Sequence, residues 1–452
     1  MSTAATTTPA TPRIRGFVRR LTFAVSWGEG LDGYDLGVIS VVLPFITREL
    51  HMSPVESGLI AASSLIGIFL GAPLGGLLND RFGRRAVFTV DIVLFVILGL
   101  LQGFVTDGWQ LLIIRILLGV AIGAEYSVGA SMLAEFTPAK GRGRRLSGLL
   151  VAWYTGYLVA VVVAYALVAA GVSWRLVLAS SALPAVVTIL ARIGLPESPR
   201  WLLNHGREQE ARAVVDQRLG GSAYFDAEHL GEEEQRAGGF RALSAPGNRG
   251  RVVFISIFWA CNVAPYFAIF TFATTVLKSL HLSDPAIGTI TVNAMAAIGS
   301  LVGMLTIERL GRRIQLIPPF WIMAVTLGIV GLWAGAPGAV VVICFAIFSF
   351  VNALQGNLES IYPIEVLPTE VRSTGVGFAA AVSRVGAAAG TFLLPLGVTT
   401  IGTGACMVIA ALVCVVGAIV SQRMAPETTG RALTETSSAP LRAGAAPRGS
   451  AA

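Results

Sequence analysis

The chain has 452 residues, of which 54% are hydrophobic and only 13% are charged, with a formal net charge of +7. A soluble protein of this length needs far more charge to stay dispersed, so the composition excludes an ordinary soluble fold. The positive charge does not indicate a nucleic-acid partner, because the basic residues gather in alternate loops between apolar runs.

Apolar runs of about 18 or more residues are long enough to cross a bilayer as helices. Twelve such runs, numbered here as helices 1 to 12, are predicted at 21–45, 58–78, 86–105, 109–134, 146–170, 173–194, 251–277, 286–307, 314–335, 337–362, 371–397 and 400–423. The predicted fold class is an all-α membrane protein with two pseudo-symmetric six-helix bundles. We expect an N-terminal tail over 1–20, bundles over 21–194 and 251–423, a hydrophilic central loop over 195–250, and a disordered tail over 424–452.

Arginine and lysine gather on one side of the predicted helices, with Arg48, Arg175 and Lys278 as the exceptions. They occupy the N-terminal tail, the 2–3 and 4–5 loops, the central loop, the 8–9 and 10–11 loops and the C-terminal tail. This asymmetry predicts a multi-pass protein of the cell membrane with both termini in the cytoplasm. The acidic residues Glu29, Asp32 and Asp35 in the first run exclude a cleaved signal peptide. The four cysteines have neither metal-ligand nor disulfide-framework spacing.

The two halves of the chain repeat each other. EFTPAKGR at Glu135 returns as EVLPTEVR at Glu365, and PES at Pro196 returns as PET at Pro426, both at one offset. NDRFGRR likewise returns as IERLGRR at a nearly equal offset. A repeat of six helices in the same orientation implies two facing bundles with a substrate site near the midplane.

Charged residues inside the predicted helices are the first candidates for function, because each costs about 3 kcal/mol or more in a bilayer. At about 1.5 Å of rise per residue, Asp35 in helix 1 lies roughly 20 Å from one surface and Arg115 in helix 4 about 9 Å from the other. In a core about 30 Å thick the two share a depth, which predicts an ion pair.

A second polar group is predicted near the midplane. Asp32 in helix 1, its repeat-equivalent Asn262 in helix 7 and Arg384 in helix 11 reach similar depths. Glu125 and its repeat-equivalent Gln355 lie in helices 4 and 10. For Glu125 two roles stay open, an additional proton site or the partner of an inner arginine.

Aromatic residues in helices 5 and 7 could line the same region. They are Trp153, Tyr154, Tyr157, Trp259 and Tyr266. Ordinary packing is the alternative. If they face a cavity, of which Trp153 and Tyr157 are the main candidates, their apolar rings with polar tips suit an aromatic or heterocyclic acid.

Several motifs resemble those of the major facilitator superfamily. GGLLNDRFGRR is similar to its loop signature between helices 2 and 3, and PESPRWLL, PETTGRALTE and the paired ExxPxxxR loops resemble the sugar-porter branch and its metabolite and organic-ion relatives. The similarity covers nearly all of residues 20–435. The glutamine-rich helix 7 pattern of hexose porters and the GPxxGG pattern of antiporters are absent from the sequence, which argues against a hexose and against drug efflux.

The resemblance implies roles for the candidate residues. Asp35 and Arg115 match the proton-coupling aspartate and arginine of proton-coupled sugar porters, with Asp32 and Glu125 as further proton-coupling candidates. A static ion pair is the alternative for Asp35 and Arg115. Arg384 matches a charged helix 11 position that selects substrate charge, so it would bind a carboxylate; pairing with Asp32 or Glu29 is the alternative. Asn262 and Gln355 complete the predicted substrate site.

The loop motifs are interpreted as gates, with solvated loop charges as the alternative. Gly76 and Gly83 are expected to permit a tight turn, Asp80 and Arg84 to form a charge network across the bundle interface, and Glu135 with Arg142 and Glu365 with Arg372 to form latches. The remaining predicted gating residues are Arg81, Arg85, Glu308 and Arg309.

The sequence therefore predicts a monomeric secondary transporter that takes up a small organic acid with protons by alternating access. Its partners would be the substrate, protons and the lipid bilayer, with no metal and no cofactor. The alternatives are a sugar or polyol carrier, an efflux protein, and a nutrient receptor without transport. No nucleophile, metal or phosphate-loop signature supports an enzyme.

Overall fold

The computed structural model describes residues 12–137, 142–219, 240–280, 285–368 and 371–429. Within these ranges it contains twelve helices that are long and apolar enough to span a membrane. The predicted fold class, with twelve transmembrane helices, is confirmed.

The first bundle begins with a 38-residue helix. Its helices 1 to 6 are Pro12–Glu49, Pro54–Phe82, Arg84–Leu101, Gly108–Phe136, Arg142–Ala169 and, in two segments, Trp174–Ala179 with Ala182–Arg192. The second bundle comprises helices 7 to 12, which are Pro246–Thr271, Pro285–Leu310, Arg312–Leu332, Gly338–Gly356, Arg372–Thr400 and Thr403–Met424. Short helices at Pro199–Asn204 and Glu208–Val214 follow the first bundle.

Several predicted boundaries differ from the structure. Helix 10 ends at Gly356 rather than at 362, and helix 7 ends at Thr271 rather than at 277. Helix 1 begins at Pro12 rather than at 21, and helix 7 begins at Pro246 rather than at 251. Both extensions start with a proline, whose fixed φ and missing N–H suit the first turn of a helix. Residues 220–239 of the predicted central loop and residues 430–452 of the predicted disordered tail lie outside the described residues.

The outer helices of the bundles present large apolar side chains to their surroundings. Examples from helices 3, 6, 9 and 12 are Val90, Ile97, Leu183, Leu190, Val325 and Leu412. An apolar belt of this extent fits lipid, not water. Charged side chains of the same helices lie inside the molecule or at the helix ends.

The two bundles meet along two seams, helix 2 with helix 11 and helix 5 with helix 8. We call the side where helix 1 begins and helix 12 ends the terminal side. On the opposite side, Tyr165 Oη and Thr274 Oγ1 are 2.8 Å apart across the halves. On the terminal side, a crevice of about 430 Å³ lies between Gly143–Arg144 and the second bundle. The halves are therefore closed on the opposite side.

Helices 1 and 5 pack backbone to backbone through glycine. A Cβ atom placed on Gly156 would lie 1.8 Å from the carbonyl oxygen of Gly30. Small residues permit this close approach between membrane helices, and it aligns the acidic face of helix 1 with the aromatic face of helix 5.

We expect Gly156→Ala to lower the melting temperature of the purified protein or to prevent its folding, because the added methyl group overlaps helix 1. Gly76→Ala is the matched control, since a Cβ atom at Gly76 in helix 2 meets nothing within 4 Å. Alanine is also the better helix former, so this control should leave the melting temperature unchanged or raise it. Equal melting temperatures for the two variants would contradict the packing described here.

Candidate functional site

Asp35 and Arg115 are paired, at the depth where the sequence predicts them. Arg115 Nη2 lies 3.5 Å from Asp35 Oδ2, and both side chains are fully buried. Arg115 Nη1 also donates to Gln102 Oε1 at 3.1 Å. Since 3.5 Å is long for a charge-assisted hydrogen bond, the contact is an ion pair rather than a tight bidentate clasp. Its role in proton coupling stays a prediction.

A second buried ion network joins helices 3, 4 and 6. Arg192, at the end of helix 6, lies 3.3 Å from Asp91 Oδ1 and in contact with Glu125 Oε1. Arg192 also donates to the carbonyl oxygen of Phe88 at 2.8 Å. Glu125 therefore does have an inner arginine as its partner. Sequence reasoning missed Arg192, although an arginine inside an apolar span is itself a signal of a buried partner.

Asp32 and Glu29 lie on the face of helix 1 that points into the molecule. Asp32 is 2% exposed and Glu29 is 9% exposed. Glu29 lies within electrostatic range of Glu125, Arg384 and Arg192. Helix 1 thus connects the network around Arg192 with the centre between the bundles.

Arg384 reaches from helix 11 into the centre between aromatic rings. Its Cζ atom lies 5.7 Å from the ring centroid of Tyr126 and 5.8 Å from that of Phe267, within the range of cation–π contacts. Among the described carboxylates none forms a direct ion pair with Arg384. The predicted alternative, in which Arg384 is simply paired with Asp32 or Glu29, does not describe this conformation.

The aromatic residues form a wall that crosses from one bundle to the other. Trp153 lies 6.1 Å from Tyr266 and 5.9 Å from Phe267 between ring centroids, and it also contacts Tyr154 and Tyr157. Its indole N–H donates to Tyr126 Oη at 3.0 Å. The buried hydroxyls of Tyr157 and Tyr266 have no hydrogen-bond partner in the described parts of the chain. Such groups favour a polar ligand, because a buried hydroxyl without a partner is costly.

Asn262 and Gln355 bind each other instead of facing the centre. Asn262 Nδ2 donates to Gln355 Oε1 at 2.6 Å, and Gln355 Nε2 donates to the carbonyl oxygen of Leu316 at 2.6 Å. Asn352 Nδ2 donates to the carbonyl oxygen of Asn262 at 3.0 Å. This conformation favours a packing role for both carboxamides within the second bundle; their contact with substrate stays a prediction.

Glu359 is a central acidic residue that sequence reasoning missed. It lies in the turn after helix 10, which ends at Gly356, and its carboxyl group lies near the guanidinium of Arg384 and the indole of Trp259. A Cβ atom on Gly356 would lie 4.0 Å from Glu359 Oε1 and 3.6 Å from Tyr154 Oη. Glu359 therefore faces the same space as Arg384 and the aromatic wall.

A compact charge cluster closes each bundle on the terminal side. In the first bundle Arg84 Nη2 lies 2.6 Å from Glu135 Oε1, and Glu197 accepts from the backbone N–H of Arg84 at 2.9 Å and of Arg85 at 3.1 Å. Glu197 thereby binds the N-terminus of helix 3, where a negative charge is favoured. We call Arg84, Glu135 and Glu197 the first bracket.

The second bundle repeats this arrangement. Arg312 Nη2 lies 2.7 Å from Glu365 Oε1, and Glu427 accepts from the backbone N–H groups of Arg312 and Arg313 at 3.0 Å each. Arg312, Glu365 and Glu427 form the second bracket. Gly83 and Gly311 precede the two capped helices with φ values of 92° and 84°. Only glycine adopts this conformation easily, which explains the repeated FGRR and LGRR sequences.

Comparison with known proteins identifies the family of the chain. A family model described as "Sugar (and other) transporter" matches residues 21–439. The chain belongs to this transporter family.

This member of the family is 34% identical over 422 residues to the putative metabolite transport protein YaaU of Escherichia coli (strain K12), covering 92% of this chain and 94% of YaaU. It is 36% identical over 407 residues to the inner membrane metabolite transport protein YgcS of the same organism, covering 90% and 91%. The solved structure of the major facilitator proton:xylose symporter XylE has a TM-score of 0.77 at 24% identity, covering 93% of this chain and 98% of XylE. The protein is therefore a multi-pass inner-membrane secondary transporter for a small molecule, and not an enzyme.

Several predicted details of the transporter's gate are wrong. Arg84 pairs with Glu135 of its own bundle, so its ion pair does not cross the interface as predicted. The side chain of Arg142 lies outside the described residues, so the latch between Glu135 and Arg142 stays a prediction. Glu365 pairs with Arg312, while Arg372 Nε donates to the carbonyl oxygen of Leu367 at 3.3 Å. The pairing differs because each ExxPxxxR glutamate faces the start of helix 3 or helix 9.

The other predicted gating residues lie in two regions, the end of helix 2 and the crevice on the terminal side. Gly76 lies inside helix 2 and makes no turn, because the turn occurs at Gly83. Asp80 and Arg81 are exposed at the end of helix 2. Glu308 and Arg309 line the crevice on the terminal side. A gating role for these residues stays a prediction.

The second bracket should depend on pH through Glu427, which lies outside the membrane-spanning segments. Burial acts to raise the pKa of Glu427, but hydrogen bonds from Thr429 and from the backbone of Arg313 and Arg312 outweigh it and hold the pKa below its ordinary value. A depressed pKa stabilises the folded state above the ordinary pKa, and that stability is lost as the pH falls through the folded-state pKa.

We therefore expect Glu427→Gln to lower the melting temperature at pH 7, and the difference from wild type to shrink below about pH 4. Thermal unfolding of the purified wild type and variant across this pH range measures the difference in melting temperature. Glu208→Gln is the matched control, since Glu208 forms an exposed i,i+4 pair with Arg212 that contributes little. A difference that persists unchanged at acid pH would contradict the role of the Glu427 carboxylate.

Proposed function

We propose that this transporter takes up a small aromatic or heterocyclic carboxylic acid together with protons, by alternating access between two bundles. The observation that carries the substrate class is Arg384, a guanidinium at the centre that has no direct ion pair among the described residues. Arginine's planar fork suits a carboxylate, and the rings of Tyr126 and Phe267 on either side suit a flat, apolar body.

Two further features support an aromatic acid. The unpartnered hydroxyls of Tyr157 and Tyr266 offer hydrogen bonds to polar ring substituents. Glu359, near Arg384, adds an acceptor for an N–H or O–H donor at another position of the ligand. A ligand with a carboxylate and a second polar group on one ring would satisfy these groups together.

The Asp35–Arg115 pair supports proton coupling. A buried carboxylate is stable while it faces arginine, and it takes up a proton when that partner turns away. Loss of the pair would release helix 4 from helix 1 and permit the bundles to rock. We infer that the terminal side faces the cytoplasm, because the basic loops gather there. The described conformation, closed on the opposite side, would then be turned toward the cytoplasm.

A sugar is the second candidate substrate, and the structural likeness to a proton:xylose symporter favours it. Arg384 opposes it, since a guanidinium is not needed to bind neutral hydroxyls. A nutrient receptor without transport is disfavoured, because the two seams and the closed opposite side are those of a carrier.

A thermal-shift screen of the purified protein separates the two substrate classes. A ligand at about 100 times its Kd stabilises the folded state by about 2.7 kcal/mol. We expect benzoate or pyridine carboxylates to raise the melting temperature and D-xylose and D-glucose to leave it unchanged. Stabilisation by the sugars and not by the acids would overturn the proposed substrate class.

A further inference from the structure

A small cavity lies between helices 1, 3, 4 and 6, away from the Asp35–Arg115 pair. Its volume is about 10 Å³, and its lining includes Asp32, Asp91, Glu125 and Arg192. Three carboxyl groups therefore share this space with one guanidinium. Such a ratio cannot be neutral when every group is ionised, and like charges this close disfavour each other's ionisation.

Two oxygens that face this cluster have no donor. Asp32 Oδ2 and Asp91 Oδ2 are buried and lack a hydrogen-bond partner within the described part of the chain. Among the described residues, Arg192 donates hydrogen bonds to Glu125, Asp91 Oδ1 and the carbonyl of Phe88, its guanidinium lies over the Phe88 ring, and its Nε has no hydrogen-bond partner. A buried carboxylate oxygen can only accept a hydrogen bond, so each of these two oxygens lacks the donor that it needs.

Asp91 and Glu125 bind the same guanidinium group, that of Arg192, so their carboxyl groups are close neighbours. Two ionised carboxylates have no hydrogen to place between them. A single proton on one of them supplies the donor and reduces the negative charge of the cluster by one, in the manner of paired carboxyl groups that share a proton.

The surrounding charges do not remove the excess of carboxyl groups over guanidinium groups in the cluster. The titratable and charged groups on the packed elements are Glu29 and Asp32 on helix 1, Asp91 on helix 3, Glu125 and Tyr126 on helix 4, Arg192 on helix 6 and Arg384 on helix 11. Four carboxyl groups thus face two guanidinium groups, and Arg384 acts on Glu29 from the other bundle.

We propose that Asp91 and Glu125 share one exchangeable proton, which makes this cluster a second proton site beside the Asp35–Arg115 pair. When the proton leaves, its O–H bond breaks, both carboxylates are ionised, and Arg192 stays between them as their counter-ion. Asp32 links the cluster to the central site through helix 1. The inference rests on the proposed proton coupling and assigns it more than one proton-binding group.

Infrared difference spectroscopy of the full-length purified protein tests the second site without a substrate. The probe is the proton itself, read as the carbonyl stretch of buried carboxylic acids between acid and alkaline pH, with the shift in D₂O as its signature. We expect Asp91→Asn and Glu125→Gln each to remove the same titrating band. Asp35→Asn should remove a different one. Glu208→Gln, on the exposed surface, should change neither.

This experiment tests the two proposed proton sites independently of each other. If Asp91→Asn and Glu125→Gln both keep every wild-type band, the shared proton is overturned. If only one of these variants folds, its spectrum alone decides. If neither folds, Asp32→Asn decides, because Asp32 faces the cluster without an ion pair. In this variant the band of the Asp91–Glu125 pair should titrate at a different pH from wild type. An unchanged titration overturns the proposal. If Asp35→Asn removes no band, the proposed coupling pair is wrong while the second site stands.

Discussion

Asp35→Asn should abolish accumulation of the substrate against its gradient while leaving exchange of substrate across the membrane intact. Asparagine keeps the shape of the side chain but cannot release or take up a proton at physiological pH. With a gradient of one pH unit, coupling to one proton supports about tenfold accumulation, and the variant should only equilibrate. The static ion pair, the alternative interpretation of Asp35 and Arg115, predicts instead a loss of stability with coupling preserved.

The measurement is uptake of the radiolabelled ligand from the thermal-shift screen into proteoliposomes with an imposed pH gradient. Asp107→Asn is the matched control, because Asp107 is exposed and caps helix 4, a role that asparagine also fills. Counterflow of the ligand without a pH gradient reports whether the variant still binds the ligand and still moves its two bundles between the open states. Accumulation by Asp35→Asn equal to that of wild type would refute the coupling role.

Arg384→Ala should weaken binding of carboxylate ligands by about 30-fold or more. Truncating one partner of a buried charge pair costs about 2–5 kcal/mol, part of it from leaving the ligand's charge unpaired. Arg384→Lys should be intermediate, since lysine keeps the charge but loses the planar fork. Isothermal titration of the purified protein measures both affinities.

Arg423→Ala is the matched control for Arg384, because Arg423 is an exposed arginine at the end of helix 12. Its affinity for the acid should equal that of wild type. The unfolding temperature of Arg384→Ala without ligand should also stay near that of wild type, since Arg384 has no direct ion pair to lose among the described residues. Wild-type affinity in Arg384→Ala would show that the carboxylate binds elsewhere.

Periodicity and depth were sufficient to predict the parts of the molecule that depend on one helix at a time. Twelve long apolar runs yield twelve helices, and a constant rise per residue places Asp35 beside Arg115. The 230-residue repeat from Glu135 to Glu365 also appears as two matching brackets. Glu135 binds the arginine at the start of helix 3, and Glu365 binds the arginine at the start of helix 9.

Contacts between helices could not be predicted from the same information. Rise fixes the depth of a residue but not the direction of its side chain around the helix axis, so the hydrogen bond between Asn262 and Gln355 was not predicted. Arg192 was overlooked because it lies beside the central loop, where basic residues are common. Its partners Asp91 and Glu125 come from two other helices.

The loop motifs show a related difficulty. The spacing within ExxPxxxR suggested that Glu135 and Arg142 pair along one loop, whereas the fold brings Arg84 to Glu135 from another loop. The repeat of PES and PET carried the missing information. Glu197 and Glu427 occupy equivalent positions there, and each caps the helix that follows a glycine with positive φ.

Proton movement across proteoliposomes that contain only this protein is the most direct measurement of coupled transport through the central site. With a pH-sensitive dye trapped inside and no imposed gradient, adding the acid that stabilises the purified protein should acidify the interior in wild type. The ionised form of the acid must be used together with a control of empty liposomes, which excludes passive entry of the neutral form. Solute entry at the wild-type rate with no change in internal pH would contradict proton symport.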